Sequence, residues 1–236
     1  MWFCLALLIF SVVYAGCLAL RGRRGRDNVE SRAPNTAKQA GFAIVMAAFT
    51  FVVRLSLPSG TSILNLHLGD FPQYVLLFTA GILAARGNWL LKLNFALGLR
   101  SLMVVLPAGF VAWFLILWQG GAFTGNSASF VGGWHWQSAS LDLWESFTCV
   151  SISFGLLVIY RELLNWQRRL GRFLSDNAFA VYVFHPPIVI LSARALHPVV
   201  LPSILKFVVL TCMSAMLSFA LSAMVFRRIP LLRSIL

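Results

Sequence analysis

The sequence predicts an all-α, polytopic membrane bundle of about seven spanning helices, and three features carry that prediction. The first is composition: 59% of the residues are hydrophobic and 11% charged, with a mean hydropathy of +0.83. Soluble globular domains do not reach those values. The second is a series of apolar runs at 2–20, 40–58, 71–86, 98–118, 141–160, 177–196 and 205–226. A helix of about 20 apolar residues, rising about 1.5 Å each, spans a hydrocarbon core of about 30 Å. Backbone groups in lipid must be satisfied within the segment, and no run alternates strictly as a barrel strand would, so the crossings are helices.

The third feature is charge placement. Sixteen of the nineteen Lys and Arg residues lie in or at the edges of every second gap and in the tail: Arg21–Lys38, Arg86–Arg100, Arg161–Arg172 and Arg227–Arg233. The intervening gaps hold none. Positive residues mark the cytoplasmic side, so the alternation puts the N-terminus outside and the C-terminus inside. The net charge of +12 and pI near 10.8 then describe orientation and contact with anionic headgroups. No separate basic domain exists to bind nucleic acid, and nucleic acid is excluded as a partner.

In chain order, the first run is uniformly apolar and lacks the charged start and cleavage context of a signal peptide. The segment 21–39, with Arg21-Gly-Arg-Arg-Gly-Arg26 and Pro34, reads as a basic cytoplasmic loop within a single transmembrane domain covering 1–236. The second run ends at Pro58-Ser-Gly60, and the short connection to Asp70 carries His67. The third run, Phe71–Arg86, is short for a full crossing. A tight return over Arg86–Lys92 sets Trp89 and Lys92 at headgroup level. An outer loop over Gly120–Ser140, rich in Gly and Ser, carries Trp134, His135 and Trp136 and reads as a lid or an interfacial plug.

Further along, Arg161–Leu174 interleaves Leu163, Leu164, Trp166, Leu170, Phe173 and Leu174 with Arg168, Arg169 and Arg172. That pattern predicts an amphipathic helix on the inner surface. Ser175-Asp176-Asn177 is predicted to cap the next helix. In the last run Thr211, Ser214, Ser218 and Ser222 recur at helical spacing, which suits close helix packing. Cys4, Cys17, Cys149 and Cys212 sit in apolar runs without metal-ligand or disulfide spacing, so no metal site is expected. No repeat and no hydrolase, metalloprotease or nucleotide fingerprint occurs.

Ionisable groups inside spanning helices are costly and face a partner or a cavity. Arg54 lies four residues before Pro58 and Glu145 four residues after the start of the fifth run, at matching depth from the outer side. They are placed to pair if those two helices are neighbours. The pair either locks the bundle or serves function, unless each side chain snorkels separately to the interface. His185 lies deeper, followed by Pro186 and Pro187, which remove two backbone donors and favour a kink. Tyr182 shares its face at i−3. This imidazole is either an acid/base or ligand-gripping group, or a structural hydrogen bond that holds the kink. His67, His135 and His197 belong to outer loops or helix ends. Asp70 and Asp142 share the outer side, placed to help shape an acceptor pocket.

Three stretches stand out: Phe173-Leu-Ser-Asp-Asn-Ala-Phe-Ala-Val-Tyr-Val-Phe-His-Pro-Pro187, Leu68-Gly-Asp-Phe-Pro-Gln-Tyr-Val-Leu-Leu-Phe-Thr-Ala-Gly81 with Arg86-Gly-Asn-Trp-Leu90, and Trp144-Glu-Ser-Phe147 leading to Gly155-Leu-Leu and Tyr160-Arg-Glu162. In this order they resemble the membrane-bound acyltransferase family 3. Arg227-Arg-Ile-Pro-Leu-Leu-Arg233 is similar to the family's close. The resemblance covers residues about 45 to 236 and looks like the family's C-terminal two-thirds. It implies a multi-pass protein of a bacterial cytoplasmic membrane that transfers an acyl group, commonly acetyl, from acyl-CoA to a hydroxyl of an extracytoplasmic carbohydrate-type acceptor, with no bound cofactor. Arg54, Glu145, Tyr182 and His185 match family positions that line or support the substrate path.

The family's activity is associated with a first-helix His at R-x10-H spacing, and this chain has no such pair. Arg54 to His67 and Arg172 to His185 each enclose twelve residues. No catalytic residue is therefore assigned by resemblance; His185 is the candidate, and a missing N-terminal half is an expected partner. Two other readings stand beside the enzyme: an inactive remnant or split-enzyme subunit, and a small-solute transporter.

Overall fold

The structure is a computed structural model that describes residues 2–21, 33–63, 65–165 and 168–224. Its helices are α1 (Trp2–Arg21), α2 (Thr36–Arg54), α3 (Phe71–Arg86), the single turn α4 (Trp89–Lys92), α5 (Phe95–Gln119), α6 (Trp136–Glu162), α7 (Arg169–Leu196) and α8 (Ser203–Met224). Among the described residues, seven of these helices are long and apolar enough to cross a membrane. Buried positions include thirteen polar residues against twelve apolar ones, while Leu8, Val12, Phe110 and Val111 are exposed. That inversion is what lipid as a solvent dictates, since it rewards apolar surface and leaves polar groups to pair inside.

The chain forms two compact units, Met1–Asn165 and Trp166–Leu236. In the first, α5 packs on α6, α6 on α2 and α2 on α3. Phe10 and Tyr14 of α1 meet Phe78 of α3, and the Tyr14 hydroxyl accepts from Arg86 at 2.8 Å. The α5–α6 seam is set by glycines. A Cβ on Gly98 would lie 2.7 Å from Val158 Cγ2, and one on Gly155 would lie 2.7 Å from Leu102 Cβ. Further along, Trp144 Nε1 donates to Gly109 O at 2.6 Å. Small residues thus let the two backbones approach where lipid offers no hydrophobic drive.

At one end of this unit, α2 stops at Arg54 and a two-residue hairpin follows, β1 (Ser62–Ile63) with β2 (Leu66–His67), then a 3-10 turn over Leu68–Asp70. The turn precedes α3 directly, so the short third run gains length from its neighbour. Of the loop Gly120–Ser140, the last five residues are the first turn of α6, and two 3-10 turns, Ala122–Thr124 and Ala128–Phe130, occupy the middle. Gly133 donates to Arg54 O at 3.4 Å and Ser59 donates to Val131 O at 2.7 Å. Trp134 meets Phe51 edge-to-face, with centroids 5.7 Å apart. A Cβ on Gly132 would sit 2.5 Å from Arg54 O, so this loop lies close against the end of α2.

In the second unit α7 packs on α8. Ser214, Ser218 and Ser222 are buried, whereas Thr211 is exposed and bonds its own helix through Phe207 O. Ser222 Oγ donates to Asn177 Oδ1 at 2.9 Å.

Several boundaries differ from the sequence expectation. Arg161–Leu174 is not one surface helix. Arg161 and Glu162 end α6, Trp166 and Gln167 lie outside the described residues, and Arg169–Leu174 are the first turns of α7. Ser175-Asp176-Asn177 is accordingly inside α7 and caps nothing; Asn177 instead donates to Phe173 O at 2.7 Å. Arg169, Leu170, Arg172, Leu174 and Ala178 favour helix, and tertiary context carries it through Gly171 and the weak formers Ser175–Asn177. Residues 22–32 of the basic segment and the Arg227–Arg233 stretch lie outside the described residues, and Thr36–Gln39 form the first turn of α2, capped by Asn35.

The seam yields a contrast. Gly155→Val should overpack against Leu102 and lower stability by about 1–3 kcal/mol, read as an earlier thermal midpoint in detergent. Gly41→Ala, where an added Cβ meets nothing within 4 Å, should be neutral or gain up to about 1 kcal/mol through helix propensity.

Candidate functional site: a buried arginine cluster and an apolar groove

Arg54 is the last residue of α2, where the helix dipole already favours a cation. It is only 3% exposed. Its Nη1 donates to Asp142 Oδ1 and, at 3.0 Å, to Glu145 Oε2, both on α6. Its Nη2 donates to Asp70 Oδ1 at 2.6 Å. Asp70 is the N-cap residue of α3, yet its side chain does not cap that helix. The ion pair has taken the carboxylate instead. Tyr74, one turn into α3, hydrogen-bonds Asp70 and lies in the field of Glu145.

One guanidinium therefore gathers three carboxylates from two other elements, and the formal balance is two negative charges. Charge-assisted bonds of this kind hold geometry more firmly than neutral ones. Around them, Arg54 Nε, Asp142 Oδ2, Ser138 Oγ and Ser146 Oγ are buried without a hydrogen-bond partner among the described residues, and so is Gln73 Nε2 of α3. Native proteins rarely leave such atoms unpaired without a reason.

Toward the other end of the same helices lies a groove of about 570 Å³. Its wall is mostly apolar, with Phe42 from α2, Leu76 and Leu77 from α3, and Val150, Phe154 and Leu157 from α6. Lys38, Gln39, Thr79 and Ser153 are its polar members, and Trp89 and Pro34 are among the rest. Arg161 ties down the return beside it by donating to Leu90 O and, at 2.7 Å, to Leu93 O. Sequence register relates groove and cluster. Along α2, Lys38, Phe42, Met46, Thr50 and Arg54 recur every fourth residue, and along α6 Ser138, Asp142, Ser146, Val150 and Phe154 do the same. Residues four apart share a helix face.

The second unit holds His185 and Tyr182, both on α7, with ring centroids 6.0 Å apart. The helix runs on through Pro186 and Pro187. Pro186 has no N–H for Tyr182 O, and His185 Nδ1 replaces it at 2.8 Å, with Val181 O at 3.2 Å. A carbonyl only accepts, so Nδ1 carries the proton and the neutral ring keeps its lone pair on Nε2. His185 bonds its own helix rather than a neighbouring one.

Of the sequence candidates, the structure joins Arg54 with Glu145 and adds Asp70 and Asp142, which share the outer-side register but carry no sequence sign of a common partner. Two depth estimates change. Arg54 stands at the helix end rather than four residues inside, and α6 begins at Trp136, which puts Glu145 nine residues along it. Gln73, Ser138 and Ser146 escaped the sequence reading because uncharged polar residues are common in packed helices; the four-residue spacing of Ser138, Asp142 and Ser146 was the available signal.

Breaking a buried ion pair by removing one partner costs about 3–5 kcal/mol. Arg54→Met should show that loss in thermal unfolding, with the excess carboxylates left unmatched. Adding Asp142→Asn should recover part of it. Additive losses in the double variant would overturn the coupling.

No curated protein and no solved structure is matched by this chain. Residues 1–223 match the acyltransferase domain of the acyltransferase 3 family. That match spans both units and every described helix but the final residue of α8. The chain belongs to the acyltransferase 3 family of multi-pass membrane proteins.

Proposed function

We propose that this membrane acyltransferase moves an acyl group, acetyl in the first instance, from acyl-CoA at the cytoplasmic face to a hydroxyl of an extracytoplasmic carbohydrate-type acceptor. The observation that carries the reading is the stacking of an apolar groove and a polar cluster along α2, α3 and α6. The groove end is the end that the charge pattern assigns to the cytoplasm, and Lys38 stands there for the phosphates of CoA. The pantetheine arm, apolar with two amides, suits a wall that mixes Phe42 and Leu77 with Gln39, Thr79 and Ser153. The Arg54 end, with carboxylates and Tyr74, suits a polyhydroxylated acceptor that forms many hydrogen bonds.

In the reaction the acceptor oxygen attacks the thioester carbon and the C–S bond breaks, with the electron pair leaving on sulfur. The hydroxyl proton passes to a base and ends on the CoA thiolate. His185, in the second unit, is the base candidate that the sequence supplies; its Nδ1 bonds fix the ring and leave Nε2 as the nitrogen able to accept a proton.

Membranes holding the full chain should transfer label from radiolabelled acetyl-CoA to a carbohydrate acceptor; no transfer across a broad acceptor panel would sink the reading. His185→Ala should abolish transfer while membrane insertion persists, and unchanged transfer would assign His185 to helix structure alone. Single cysteines in the Gly120–His135 loop should react with an impermeant reagent on intact cells. Reaction only after permeabilisation would reverse the orientation.

A further inference from the structure

Between the groove and the Arg54 cluster stands a layer one helical turn thick. On α2 it is Met46, between Phe42 of the groove and Thr50. On α3 it is Gln73, between Leu76 of the groove and Asp70. On α6 it is Ser146, between Val150 of the groove and Asp142. Met46 and Ser146 are fully buried and Gln73 is 6% exposed. Thr50, the next turn up α2, is satisfied, its hydroxyl donating to Met46 O at 2.8 Å. Gln73 Nε2 and Ser146 Oγ are not: neither has a partner among the described residues.

Two hydrogen-bond donors left open in a buried layer are costly to keep, and a structure retains such groups where a ligand or intermediate completes them. Their depth is the relevant one. Phe42, Leu76 and Val150 of the groove wall lie about one helical turn from this layer, so a donor threaded through the groove from the Lys38 end would bring its reacting end toward it and toward the cluster. What develops there in acyl transfer is negative charge on the former carbonyl oxygen, and preorganised donors in a water-poor site stabilise it most.

We propose that Gln73 Nε2 and Ser146 Oγ–H are the oxyanion donors of this enzyme, with Met46 as the apolar wall against which the acyl group rests. The assignment rests on the acyl-CoA reading given above. As the acceptor oxygen bonds to the carbonyl carbon, the carbonyl pair moves onto oxygen and is held by these two donors. It returns as the C–S bond breaks, and the hydroxyl proton ends on the departing thiolate.

The test uses the full chain in proteoliposomes, with Ser146→Ala and Gln73→Met as separate variants. Each should lower kcat by about 100-fold or more, the usual loss for one oxyanion donor, with a smaller rise in KM for acetyl-CoA as the ground-state carbonyl loses a weaker bond. Thermal stability in detergent should hold or rise, because each change removes an unpaired buried polar group. An unchanged kcat overturns the assignment, and so does a fall in kcat matched by a fall in stability, which marks a structural role. Binding supplies an independent readout. The ketone analogue of acetyl-CoA, with methylene in place of sulfur, cannot transfer but keeps the carbonyl; S-ethyl-CoA lacks it. Wild type should favour the ketone, and both variants should lose that preference. Equal affinity in wild type refutes the donors even if transfer is absent, whereas failure to bind either compound refutes the acyl-CoA reading itself.

Discussion

A guanidinium taken out of water at the end of α2 must be matched by carboxylates, and much of the first unit follows from that requirement. Arg54 draws Asp142 and Glu145 to it, which fixes the rotation and depth of α6 against α2. It draws Asp70 as well, which fixes where α3 begins. The loop after α5 then closes over the backbone of the same residue, where only glycine at position 132 leaves room for Arg54 O. Burial of charge contributes little net stability by comparison with an apolar replacement, but it penalises every arrangement in which the partners fail to meet. The cluster is best understood as a register device that also shapes the polar end of the site.

Away from that end, the interior of the unit changes character turn by turn. On α2 the inward face passes from Lys38 through Phe42 and Met46 to Thr50 and Arg54; on α6 it passes from Phe154 and Val150 to Ser146, Asp142 and Ser138. The mostly apolar section encloses volume, and the polar section encloses charge. Such a gradient is what the proposed reaction asks for, with a donor and an acceptor each meeting a wall of its own chemistry. The α5–α6 glycine seam supports this arrangement from behind, holding α6 close to a neighbour through backbone approach rather than through large side chains.

Hydropathy and charge alternation made the helices legible, since spanning length and loop charge are properties of the linear sequence. Helix ends were less so. Trp136–Ser140 and Arg169–Asn177 are polar or aromatic enough to resemble loop or surface helix, yet they extend α6 and α7, because neither holds a proline and tertiary context overrides the weak propensity of Gly171 and Ser175–Asn177. The Arg54–Glu145 pair was legible as two ionisable groups of opposite sign near the outer ends of apolar runs, although the depths read from the run boundaries differ from those in the helices. That Asp70 and Asp142 bind the same guanidinium depends on side-chain direction across three elements, which spacing does not encode. The carbonyl–imidazole bond of His185 belongs to the same class: Pro186 announced a freed carbonyl, but only the rotamer shows that the neighbouring ring repairs it.

That repair bears on how α7 can carry chemistry. A proline in a lipid-exposed helix leaves a carbonyl unpaired in a medium that cannot hydrate it. Using His185 to satisfy Tyr182 O resolves the cost and at the same time commits one ring nitrogen, so the imidazole is held in a single tautomer with its basic nitrogen turned away from its own backbone. Protonation of Nε2 leaves the Nδ1 bond intact, since both nitrogens of the cation are donors. The group can therefore accept and release a proton without disturbing the helix that carries it. A residue that only filled the backbone gap would need no second nitrogen; glutamine or serine would also donate. Any proton transfer proposed for His185 therefore falls to Nε2, the nitrogen that the backbone leaves uncommitted.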